Sequence, residues 1–95
     1  MTQITRIDNR WKLSGDVVIS TAKSILTASE ALPIAAGDVG TVIDFEDVAD
    51  IDTTAVSLIL EWKRRAIKEN QTLKVVNLPA NLTSLVQLYG VEDLI

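Results

Sequence analysis

The chain has 95 residues, 47% of them hydrophobic, and a net charge of −4. That length suits one domain, hiding about 60–68% of the unfolded chain's surface on folding. With no cysteine and no histidine, it lacks disulfides, thiolate metal sites, a cysteine nucleophile and the usual general base. The acidic balance argues against nucleic acid, whose binding rests on neutralised phosphates. MTQITRIDNRWK has no apolar signal-peptide core. The longest apolar run, AVSLIL, is broken by Ser57 and falls far short of the roughly 20 residues of a membrane span. The expectation is a soluble cytoplasmic protein that meets a membrane only through a complex.

In chain order, Gln3 to Ile7 predicts a strand and Asp8-Asn9 a turn. Arg10 to Ser14 alternates, with Trp11 and Leu13 on one side and Arg10, Lys12 and Ser14 on the other. These segments make a hairpin, which Gly15-Asp16 breaks. A helix follows from between Val17 and Thr21, with Ser20 as its N-cap and Val18, Ala22, Ile25, Leu26 and Leu32 at helical spacing. Pro33 ends it. Val39 to Phe45 reads as a strand covered on both faces. Glu46 and Asp47 open an acidic loop, from which Val48 and Ile51 pack inward. A second helix runs from about Thr53 to Glu69. Its apolar stripe is Ala55, Leu58, Ile59, Trp62 and Ala66, widened by Val56, Leu60 and Ile67. Lys63, Arg64 and Lys68 lie on its wet side, and Asn70 stops it. Thr72 to Leu78 is a fourth strand. Pro79, then Leu82, Leu85, Val86 and Tyr89, mark a third helix closed by Gly90. The order β-β-α-β-α-β-α predicts an α/β domain over residues 1–95. Its small mixed sheet has parallel neighbours after the hairpin and helices mainly on one face.

Five carboxylates, Asp44, Glu46, Asp47, Asp50 and Asp52, fall within nine residues. An EF-hand loop starting at Asp44 would need Gly and Glu where Ala49 and Ala55 stand. A carboxylate metal enzyme built on Asp44, Asp47 and Asp52 is a third reading beside the two given below. The plain alternative is a solvated loop before a helix start that favours negative charge. Gly15, Gly37, Gly40 and Gly90 match no phosphate loop, and no Ser-His-Asp or Cys-His set can be built. No catalytic residue, metal or cofactor is expected. Lys63-Arg64-Arg65 is either a solvated helix face or a docking patch for an acidic partner. Thr53 sits at or beside a helix cap, and a phosphate there would add about −1.5 to −2 charges. These residues alone leave cap and switch both open.

The run VIDFEDVADIDTTAVSLIL resembles the signature of STAS domains, shared by sulfate transporters and anti-sigma factor antagonists. The matching residues are Asp44, Val48, Ile51, Asp52 and Thr53. Within that family the chain looks most like the Mla-type subunit, by Thr53, by Leu58-Ile59-Leu60 and by the C-terminal LVQLYGVEDLI with Leu88-Tyr89 and Leu94. It departs at Ala55, where Gly is usual, and at Thr54, which replaces a small residue. The resemblance implies a non-catalytic cytoplasmic subunit. That subunit binds and regulates or stabilises the ATPase of an ABC transporter maintaining outer-membrane phospholipid asymmetry. Asp52, Thr53, Thr54 and Ser57 would carry the contact, with Asp52 orienting or capping the helix end. In the anti-sigma antagonist branch, a partner kinase would phosphorylate Thr53 or Thr54.

Overall fold

The computed structural model describes residues 3–34 and 40–91. Strands β1 (Gln3–Ile7) and β2 (Arg10–Val17) form an antiparallel hairpin. They are followed by helix α1 (Ile19–Glu30), strand β3 (Thr41–Ile51), helix α2 (Thr53–Lys68), strand β4 (Leu73–Val76) and helix α3 (Ala80–Leu88). The sheet order is β1-β2-β3-β4, with β2, β3 and β4 mutually parallel. Parallel neighbours need a crossover, and α1 and α2 supply it. The expected element order and mixed sheet are those observed. No helix among the described residues is long and apolar enough to cross a membrane.

Period-2 alternation sorts the sheet into two faces. Trp11, Leu13 and Val17 of β2, Ile43 and Phe45 of β3, and Leu73 of β4 are buried on the helix-covered side. They meet Ile25 of α1, Leu58, Ile59 and Trp62 of α2, and Leu82 and Val86 of α3 in one core. Trp11 and Trp62 pack edge to face at 6.1 Å, the arrangement favoured by the ring quadrupoles. On the other face Arg10 pairs with Asp44 at 2.6 Å and Lys12 with Asp47 at 3.3 Å.

The acidic segment is strand, not loop. β2 does not break at Gly15-Asp16 but runs on to Val17, and β3 follows it past Phe45 to Ile51. The register slips by one residue between Lys12 and Ser14 and again between Gly15 and Asp16. Each slip sets one extra β3 residue against β2, as in a bulge, and the pairing resumes beyond it. Ile51 is buried and Val48 partly so, both packed on the core. The expected first residue of this strand, Val39, lies outside the described residues, as does Leu94.

The helix ends also differ in detail. Val18, not Ser20, caps α1, and its amide donates to the Thr21 hydroxyl at 3.1 Å. Helices α2 and α3 close alike. The amides of Asn70 and Gln71 reach the carbonyls of Ile67 and Ala66, and those of Gly90 and Val91 reach Gln87 and Val86, the Schellman pattern. Ile67 leaves the apolar stripe and is 76% exposed, and Tyr89 lies just past α3, 56% exposed.

Candidate functional site

Helices α1 and α2 start at the same edge of the sheet, where β2 and β3 end. Asp52 joins them. One carboxylate oxygen accepts the Thr54 amide at 2.8 Å, capping its own helix. The other accepts the Ile19 amide at 2.9 Å, in the first turn of α1. Each helix start leaves amides without intrahelical partners, and a single carboxylate serves both. Its partial burial pushes the pKa up, but the bonds from Ile19 and Thr54 outweigh this and hold it below the ordinary aspartate value. Asp52 is therefore a structural acceptor whose charge is engaged inside the fold.

The other expected site residues come together on the first two turns of α2. Thr53 and Ser57 are exposed and Thr54 is half-buried. All three line an open groove of about 530 Å³ between α2 and α3, walled by Val56, Leu60 and Tyr89. Thr54 and Ser57 also line a second groove, of about 360 Å³, between α2 and α1, with Leu26 and Leu58 in its walls and Lys23 and Glu61 at its sides. A ridge of hydroxyls thus separates two open, partly apolar grooves. Ala55 does not alter this surface, because it is fully buried and its methyl faces the core.

Two other candidate sites are engaged within the fold. Of the basic run, Arg64 is exposed and pairs with Glu61. Lys63 donates to the Leu73 carbonyl at 2.6 Å, and burial pushes its ammonium below the ordinary lysine value. Arg65 donates to the carbonyls of Ser29 and Leu32 at 3.0 and 2.6 Å, closing the C-terminal end of α1. Two of the three side chains are thus bonded within the fold, and Arg64 is the exposed one. Asp44 is nearly buried and accepts from Arg10, Asn77 and the Glu46 amide. Among the described residues no group of three acidic side chains is placed to hold a metal ion. Sequence reasoning missed the Ile19 amide as the second partner of Asp52, which no pattern flags. It also read Tyr89 as part of an apolar helix face rather than a groove wall.

The family model described as "Mlab, STAS domain" matches residues 1–95. The chain belongs to this STAS-domain family. Solved structures agree at the level of fold. The chain is similar to the anti-sigma factor antagonist SpoIIAA in its unphosphorylated form, with a TM-score of 0.65 at 12% identity, covering 93% of this chain and 83% of that one. It is also similar to a part of Mglu, with a TM-score of 0.59 at 22% identity, covering 82% of this chain but 20% of the other. No curated protein matches it. STAS domains are protein-interaction modules, and in this STAS domain the hydroxyl ridge opens helix α2.

Proposed function

We propose that this STAS domain is a small non-catalytic subunit that docks, through the first turns of α2, onto the ATPase of a phospholipid-trafficking ABC transporter. It acts in the cytoplasm as one domain over residues 1–95, reaches the inner membrane only through that complex, and stabilises or regulates the ATPase there. The observation that carries the reading is the ridge itself. Thr53, Thr54 and Ser57 present hydroxyls between two open grooves, while the neighbouring carboxylate is engaged in caps. The Mlab family match supports the choice of partner. The test is purification of the tagged protein from detergent-solubilised membranes, with partners identified by mass spectrometry. Recovery of an ABC ATPase and its permease is the expected result, and Thr53→Ala or Thr53→Glu should reduce it while circular dichroism stays unchanged.

A second reading, an anti-sigma factor antagonist switched by phosphorylation, is favoured by the likeness to SpoIIAA and by the exposure of Thr53 at the helix start. Thr53 is the more accessible acceptor, since Thr54 is half-buried. Recovery of a soluble kinase-like anti-sigma factor in the same purification, with one added phosphate on the chain, would replace the transporter reading with this one.

A further inference from the structure

We propose that Ile19 is a contact residue of the same docking face, and that Asp52 is the positioning residue that holds it there. The inference rests on the docking reading above and adds a second helix to it. Ile19 opens α1 and is 78% exposed. Its amide is bound at 2.9 Å by the carboxylate of Asp52, the residue immediately before Thr53. That bond ties the first turn of α1 to the N-cap of α2, one residue before the hydroxyl ridge, and sets an exposed isoleucine at that junction. A large apolar side chain left in water is a natural anchor for a partner, and burying one contributes substantially to affinity.

The charge pattern names the partner's chemistry. From Thr53 to Leu60 α2 carries no charged side chain, and the Asp52 carboxylate already accepts two amides. Lys23 and Glu61 flank this stretch with opposite signs, so the complementary surface is uncharged at its centre. It sets an apolar side chain against Ile19, beside hydrogen-bonding groups for Thr53 and Ser57. Attraction of this kind is short-ranged, so docking should depend little on salt.

The test titrates the copurified ABC ATPase subunit against the wild type, Thr53→Ala, Ile19→Ser, Ile19→Leu and Ile67→Ser. Ile67 is equally exposed, at 76%, but lies in the last turn of α2. Ile19→Ser should weaken binding about tenfold or more, Ile19→Leu about threefold or less, and Ile67→Ser about twofold at most. Unchanged binding by Ile19→Ser where Thr53→Ala weakens it would reject the inference and leave the docking reading standing. Equal loss from Ile19→Ser and Ile67→Ser would also reject it. No binding by the wild type, or no effect of either Thr53→Ala or Ile19→Ser, removes both. The role of Asp52 is read in the free protein by amide hydrogen exchange. Asp52→Asn should speed exchange at Ile19 while Leu58 and Ile59 stay protected; an unchanged Ile19 amide would reject the positioning role.

Discussion

The indole nitrogen of Trp62 donates to the hydroxyl of Ser29 at 2.9 Å, deep between α2 and α1. Both residues are 1% exposed. The serine passes the chain of bonds on to the Leu26 carbonyl at 2.7 Å. A buried donor that loses its acceptor carries its full desolvation cost. Ser29→Ala should therefore destabilise the fold by about 1–3 kcal/mol. In a Trp62→Phe background, which has no donor to strand, the same change should cost clearly less. Urea denaturation of the four proteins measures the difference, and equal costs in both backgrounds would show the bond to be incidental.

Arg65 makes a second tie between these helices. Its guanidinium reaches two carbonyls at the end of α1 and lies 5.9 Å from the centre of the Trp11 ring. Lysine has the charge but not the planar fork. Arg65→Lys should cost about 1–2 kcal/mol in urea denaturation. The adjacent Arg64→Ala, at an exposed ion pair, should fall within about 0.5 kcal/mol of the wild type. If the two arginines behaved alike, the assignment of Arg65 as an internal link would be wrong.

Much of this arrangement is legible in the amino-acid sequence. Alternation at Trp11 and Leu13 and helical spacing from Ala55 to Ala66 report the core directly, because burial imposes those periods. Asp52 before Thr53 marks a cap through its residue type. What stays hidden depends on contacts between distant residues. The second partner of Asp52 is 33 positions away at Ile19, and the carbonyls bound by Arg65 are 36 and 33 positions away. Glu46, Asp47 and Asp50 look like a loop because two bulges break the alternation. The ion pair between Lys12 and Asp47 accommodates charge on the sheet face opposite the core.

Gly40 precedes β3 at φ +68, and a methyl group built on it would stand 2.1 Å from the Thr72 carbonyl oxygen. That carbonyl accepts the Thr41 amide at 2.9 Å, so it cannot retreat without loosening the start of the β3–β4 pairing. Gly40→Ala combines a left-handed backbone with a collision against main chain. It should destabilise by at least about 2 kcal/mol. Gly90→Ala is the internal control, because φ is +65 but nothing lies within 4 Å. It should cost about 1 kcal/mol from backbone strain alone. Thermal melts of the two variants separate collision from strain, and equal losses would mean that the Thr72 contact yields freely.

The acid limb of stability should trace to Asp44. Burial pushes its pKa up, but bonds from Asn77, the Glu46 amide and Arg10, with the charge of Arg10, outweigh it and leave the carboxyl below the ordinary aspartate value. The unfolded chain then binds a proton more readily than the folded one. The stabilisation is complete above the unfolded value and is lost as pH falls through the folded value, below about pH 4. Asp44→Asn should be less stable at neutral pH by about 1–3 kcal/mol, and its stability should fall less steeply on acidification. A residual slope should remain, because Asp52 is lowered too and carries the same sign. Urea denaturation of both proteins between neutral pH and about pH 3 checks this. Parallel curves would mean that Asp44 is not the group whose protonation weakens the fold.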